Sequence, residues 1–430
     1  MSIQFDGVEI LNTTYSPRFV KHESVAERAL ITLPLGREDG EAFIAERYGK
    51  KVVRLQGIIK ASTQALLEAQ IATFTELFSR PQKNLDISWN GGTLRYVATC
   101  ARHDFDRDHY HLNAVPWSAE FVVLSGEGRS STTVSPEDAD EESISWTDGI
   151  VDTTFDLEGS KPPKPVATIF ITGANMSGIE YKNLDNGERL IATYPGAWGS
   201  NRTVEIDFDR KTVEGNVVDS VTKPLNVYGA FPRFRIGTNN VRIQRGGIVN
   251  QKSHDDLVSE NLADQSIANT STKYAQSFQV PRQDATFQGI TLALRKQSTP
   301  GTLTWRIETD SDGSPSGSLV TNATGALAHG SASSSFAYHS LYSASPFQLE
   351  ANTDYWIVLS AISVDGSNLW RFGSVFPGLY PRGRAKNSSD GGSTWGIYNP
   401  KLDLMFRVLM GGIPESGTGK HTIEYQPTYL

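Results

Sequence analysis

The sequence predicts a mainly β chain of several units with a single helix. Three observations carry that reading. The 430 residues include 38 Gly, 20 Pro and 10% aromatics, a composition suited to short strands joined by many turns. One segment shows a helical period, while several others alternate with period two. The length exceeds that of one ordinary domain, which takes about 100–200 residues.

Residues 1–130 form the first unit. Val8–Leu11 and Val52–Ile59 read as strands, the second rich in β-branched residues. Ser62 to Ser79 reads as the helix. Leu67, Ile71, Phe74 and Phe78 fall on one face, Ser62 suits the cap, and Pro81 lies just past the end. Leu85–Trp89 and Leu94–Thr99 flank Asn90-Gly91-Gly92, a hairpin turn. Phe121–Leu124 reads as the last strand. The acidic run Glu137–Glu142 then reads as a solvated linker.

Residues 131–248 form a second, all-β unit. Its strands are Ala167–Gly173, Leu190–Tyr194 and the cleanly alternating Thr203–Asp209. Gly237–Asn240 reads as a turn between Phe234–Ile236 and Val241–Ile243. Gln251 to Ala268 is polar, with little strand signal.

Residues 249–411 form a third unit, with strands at Gln276–Val280, Gly289–Leu294, Thr302–Glu308, Tyr355–Leu359 and Asp403–Val408. Asp312–Gly317 and Ser388–Ser393 read as turn-rich loops, the pattern of a sandwich. Residues 412–430 hold one more strand, too short to stand alone. They are expected to close the second unit, with Thr422–Tyr425 beside Ile236–Ile243. The pairs Gly246-Gly247 and Gly411-Gly412 thus look like hinges of a domain inserted into a loop.

Composition removes several classes of function. The net charge of −8 argues against a protein built to neutralise nucleic-acid phosphates. The single cysteine, Cys100, rules out an intrachain disulfide. No stretch approaches the roughly 18 apolar residues of a membrane span. Asp6 and Glu9 interrupt any apolar leader, so no signal peptide is expected.

Motifs for chemistry are weak. Gly417-Thr418-Gly419-Lys420-His421 departs from a phosphate loop, with His421 in place of the Ser/Thr, and reads as a turn. Asp104, Asp106 and Asp108 alternate as in a calcium loop, but His109 replaces its glycine. Cys100, His103, His109 and His111 lack standard zinc spacing, so no metal or other cofactor is expected. No Gly-x-Ser-x-Gly elbow occurs, and no catalytic residues are assigned. Carboxylate pairs for glycoside hydrolysis stay open, because their separation is invisible in sequence.

The order of segments resembles the distal tail proteins of long-tailed bacteriophages (siphophages), the hub at the tip of the tail tube. Phe5–Ile10, Leu55–Ile59 before the single helix, Asn84–Ile87 after it, and Thr422–Leu430 carry the resemblance. It covers about 1–248 and 412–430 and implies a tail-tube-like β domain, then a galectin-like β-sandwich. It also implies a hexameric ring of the chain itself, contacts with tail tube and receptor-binding tail-tip proteins, a place at the distal end of the virion's tail, and no enzymatic activity. Residues 276–410 resemble a carbohydrate-binding-type module of the jelly-roll or β-sandwich kind. Gln276–Val280, Arg306–Asp310, Tyr355–Leu359, Ser388–Trp395 and Leu404–Val408 carry that second resemblance, which implies binding to a host cell-wall saccharide. A free carbohydrate-binding adhesin of the bacterial surface is the rival class.

Trp370, Phe372, Phe376, Tyr380, Trp395 and Tyr398 cluster in the turn-rich half of this module. Sugar C–H faces stack on such rings while polar neighbours fix the hydroxyls. Trp370, Tyr380, Trp395 and Tyr398, with Arg382 and Asp390 as polar partners, form the expected site. Arg371, Arg384 and Asn387 lie close by in sequence. A plainer reading makes Trp370 and Trp395 core residues.

Overall fold

The computed structural model describes residues 2–22, 28–34, 41–89, 92–107, 113–134, 142–172, 178–193, 202–216, 225–253, 262–280, 285–375, 378, 380–397 and 402–429. The chain is mainly β, as its composition and period-two alternation imply. Its sheets fall into three groups.

The first group is a curved sheet crossed by the helix. Its order is Val8–Glu9, Ser2–Phe5, Lys83–Trp89, Gly92–Phe105, Ala114–Val123, Lys51–Lys60 and Pro17–His22. Arg28–Pro34 and Glu41–Tyr48 pair only with each other among the described strands. The helix runs Gln64–Phe78 and buries Leu67, Ile71, Phe74, Leu77 and Phe78. Thr63, not Ser62, caps it, its hydroxyl accepting from the Leu66 amide at 3.3 Å. Phe74 and Phe78 meet Trp117 and Phe121 of the sheet at ring distances of 4.8 and 5.0 Å, which seats the helix.

The second group is a two-sheet sandwich. One sheet orders Glu142–Trp146, Gly417–Glu424, Val166–Ile171, Arg202–Asp207 and Thr212–Asn216. The other orders Ile150–Leu157, Gly237–Arg245, Gly178–Asn183, Arg189–Thr193 and Asn226–Gly229. Ile144, Ala167, Ile169, Val204 and Ile423 face Leu157, Ile179, Tyr181, Val241 and Ile243 across the core. Three expectations are corrected here. Gly237–Asn240 is the start of a strand, with Asn239 fully buried and donating to the carbonyls of Arg235 and Gly237. Gly237–Arg245 and Gly417–Glu424 lie in opposite sheets and do not pair. Gly417–His421 is strand, not turn.

A close approach explains those glycines. A Cβ on Gly419 would lie 2.5 Å from the Trp146 ring, and one on Gly417 would lie 2.4 Å from the Arg245 guanidinium. Arg245 stacks over Trp146 at 5.0 Å and donates to the carbonyls of Glu415 and Ser416 at 2.8 and 2.7 Å. The returning strand sits inside its sheet rather than at an edge. The chain then crosses to the first group, where Thr428–Tyr429 pairs with Gly128–Ser130.

The third group, residues 248–410, is another two-sheet unit. One sheet orders Ile248–Lys252, Phe406–Met410, Ala285–Gln297, Leu369–Val375 and Leu262–Ile267, with Ala337–Leu349 and Asp403–Leu404 alongside. The other orders Ser314–Leu327, Leu303–Ser311, Asp354–Ala361, Lys273–Gln279, Ala385–Ser388 and Gly396–Ile397. Three of these strands fall where the sequence suggests loop or weak pattern: Ile248–Lys252, Leu262–Ile267 and Ser314–Leu327. Each lies at an end of the strand order, with one described strand neighbour only, where polar residues are tolerated.

The unit's two connections meet at Gly247 and Gly412, whose amide and carbonyl bond at 2.8 Å. All four hinge glycines have positive φ, between 59° and 94°. The base is packed as well as tethered. Ile191 and Tyr228 of the second sandwich join the inserted core, and Arg189 donates to the Val249 carbonyl at 3.2 Å.

Two measurements check this packing. Arg245→Met leaves the carbonyls of Glu415 and Ser416 without their donor and is expected to lower stability by about 2–4 kcal/mol. Urea unfolding reads it; an unchanged midpoint excludes the pin. His421 is buried beside the Tyr181 hydroxyl at 3.2 Å, and burial holds its pKa down to about 4, from 6.5. Below pH 6.5 the unfolded chain therefore takes up a proton that the folded chain refuses. Stability is expected to fall by about 2 kcal/mol between pH 7.5 and pH 5 on this account. His421→Gln should flatten that slope.

Candidate ligand-binding face

Of the six expected site residues, the five that the structure describes do not converge. Trp370 belongs to an inward-facing row of the strand Leu369–Val375. It is fully buried in the inserted core, with its indole N–H donating to the Gly301 carbonyl at 2.8 Å. A ring without an exposed face has nothing to offer a sugar, so Trp370 is removed from the site in this conformation. Phe372 is buried beside it. Arg371 points outward but is held by Asp264 at 2.7 Å and Gln297 at 2.9 Å.

Tyr380 is also core. It is 9% exposed, lies edge-on to Phe406, and burial pushes its phenol up to about 12. Its amide donates at 2.9 Å to Asp403, a buried carboxylate that also accepts from Gln276. Phe376 and Tyr398 lie outside the described residues.

Asp390 is exposed, yet it ties its own loop. Its carboxylate accepts from the Ser388 hydroxyl and from the amide and hydroxyl of Thr394, at 2.6–2.9 Å. Those bonds hold its pKa well below the usual carboxylate range. Asp390 thus shapes the turn that presents Trp395.

Trp395 and Arg382 remain, and they share one face. The sheet that contains Lys273–Gln279 and Asp354–Ala361 turns Tyr274, Phe278, Tyr355 and Ile357 inward. Its opposite face carries Ala275, Trp356 and Val358, against which half-buried Trp395 packs. Beside them opens a groove of about 250 Å³ lined by Ser277, Asp310, Asp354, Trp356, Arg382 and Arg384. The Trp356 indole donates to Asp310 at 2.6 Å, and Lys386 lies 5.7 Å from the centre of its ring.

Period two at residues 354–358 was a signal for this face. With Tyr355 and Ile357 in the core, Trp356 must point outward. The composition of the loops drew attention to other aromatics instead.

Elsewhere the motifs resolve structurally. The His103 ring stands 6.4 Å from Phe78 and 5.9 Å from Phe105, Asp104 pairs with Arg102, and burial raises the Cys100 thiol to about 11. Asp108, His109 and His111 lie outside the described residues.

Asp390→Ala is expected to release the Ser388–Trp395 turn and shift Trp395 fluorescence toward a wetter environment, with little loss of global stability. Acrylamide quenching reads this; quenching equal to that of the unaltered chain excludes the role.

No protein-family model and no curated protein matches the chain. Among solved structures, the SPP1 Dit protein, described as a paradigm of the hub adsorption apparatus in phages infecting Gram-positive bacteria, aligns at 12% identity and a TM-score of 0.40. That alignment covers 56% of this chain and 98% of the other. The phage P2 baseplate in its activated conformation with calcium aligns at 6% identity and a TM-score of 0.26, over 56% and 90%. The infectious bursal disease virus VP2 subviral particle aligns at 11% identity and a TM-score of 0.15, over 69% and 80%.

Proposed function

We propose that this chain is a structural, non-catalytic subunit of a phage tail tip. In this reading residues 1–130 assemble into a sixfold ring at the end of the tail tube, and the inserted unit touches a saccharide of the host surface. The sixfold count and the partner proteins come from the sequence resemblance.

The observation that carries the reading is the nesting. The inserted unit leaves and returns through two hydrogen-bonded glycines, on a sandwich that the returning strand completes. The final residues then pair with the first group. Such an arrangement holds an accessory module outside an assembling unit without interrupting that unit's sheet. Among the described strands the first sheet ends in Val8–Glu9 and Pro17–His22, where this reading places the contact with a neighbouring subunit. The saccharide part rests on the groove and on half-buried Trp395. A shallow site of this kind binds at about 0.1–1 mM, and several copies on one ring raise avidity by about 10²–10⁴.

Electron microscopy of the purified chain with tail-tube protein is expected to show closed rings; a strict monomer at high concentration without rings overturns the hub. The full chain is expected to sediment with host cell walls, and folded Trp395→Ala to do so several-fold less. Absence of wall binding by the unaltered chain overturns the saccharide reading.

A further inference from the structure

The groove carries a charge pattern that a neutral sugar would leave unused. Arg382 lies in the turn before the strand Ala385–Ser388, Arg384 just ahead of that strand and Lys386 within it, and Arg382 and Arg384 line the same groove. Arg382 is exposed and forms no ion pair among the described residues. Arg384 is exposed and donates one bond, at 3.2 Å, to the Gly313 carbonyl. That leaves most of its five N–H donors for a ligand. Lys386 is nearly buried beside Trp356, its ammonium 2.7 Å from the Ser314 hydroxyl, and adds positive potential from below.

Two carboxylates also line the groove, and they are not equivalent. Asp310 has both oxygens engaged, one by the Trp356 indole at 2.6 Å and one by the Gly313 amide at 3.0 Å. Asp354 is exposed and makes no ion pair with the arginines. Two arginines and two aspartates line the groove, and with Asp310 engaged on both oxygens this leaves two cations against one uncommitted carboxylate, on a chain whose net charge is −8.

We propose that the groove selects an acidic saccharide, a sugar whose carboxylate or phosphate ester sits on Arg382 and Arg384 while its ring lies toward Trp395. The proposal rests on the saccharide reading above and adds its chemical class. A guanidinium fork matches both anions in two-point geometry. Asp354 accepts hydroxyl hydrogens and repels an anion placed at its own side, so the ligand's charge is confined to the arginine side.

The test uses the full chain on immobilised polygalacturonate, poly(glycerol phosphate), neutral dextran and host cell walls, at low and high salt. Binding to one or both acidic polymers is expected to exceed binding to dextran by at least about tenfold and to weaken with salt. The carboxylate and phosphate arms identify the anion. Arg382→Gln with Arg384→Gln is expected to remove that preference, whereas Arg210→Gln, an exposed cation of the second sandwich, changes nothing. Melting curves confirm that each variant is folded. Binding to dextran equal to that of the acidic polymers, or wall binding unchanged in the double variant, overturns the acidic class and leaves the saccharide reading standing. An equal loss in Arg210→Gln also overturns it, because the attraction is then general. If neither the polymers nor the walls bind, both readings fall.

Discussion

A buried cation organises the middle of this chain. Arg245 is 1% exposed and has no carboxylate at ion-pair distance among the described residues. Burying a cation costs several kcal/mol. Two charge-assisted hydrogen bonds return about 1.5–3 kcal/mol each, and a desolvated cation–π contact adds about 2 kcal/mol. These gains offset much of that cost, and removing the donor would strand the carbonyls of Glu415 and Ser416, so Arg245 serves position as well as stability. It ends a strand of one sheet and grips the approach to a strand of the other. The turn out of the sandwich is thereby tied to the turn back, and 248–410 can lie between them without splaying the two sheets.

That pin explains why the glycines stand where they do. Gly417 and Gly419 lie on a central strand of their sheet, normally a poor place for glycine. Arg245 and Trp146 occupy the space their side chains would need. The hinge glycines answer a different demand, positive φ at both crossings. With the crossings fixed, Ile191 and Tyr228 of the sandwich join the core of the inserted unit. Its orientation on the sandwich is therefore set by contacts as well as by the two connections, and a groove on it points in a defined direction.

Much of the fold was legible in the sequence because period and turn chemistry are local. The helix face Leu67, Ile71, Phe74 and Phe78 and the alternation of Thr203–Asp209 translate directly into buried rows. Elements at the ends of the strand order were not legible. Leu262–Ile267 and Ser314–Leu327 end their strand orders, where polar residues are tolerated, and hydrophobicity alone marks them as loop. The misread Gly417–His421 is of another kind. Its glycines answer side chains far away in sequence, and no local pattern reports a partner at residue 146 or 245.

The ligand-binding face fails to show in sequence for a related reason. A large aromatic serves a core and a sugar equally well, and the choice depends on which side of the sheet it faces. Trp370 sits in the row that faces the other sheet, while Trp356 sits opposite Tyr355 and Ile357 on the outer side. Parity within a strand settles the matter once one neighbour is known to be core. The fold also brings together Arg382, in a turn, and Arg384, ahead of a strand, which in the linear sequence look like scattered charges of a solvated loop. Folded, Arg382 and Arg384 line a groove whose floor is the buried ring of Trp356, with Lys386 5.7 Å from the centre of that ring. The half-buried ring of Trp395 packs on the same outer face and is left to meet a ligand's apolar side.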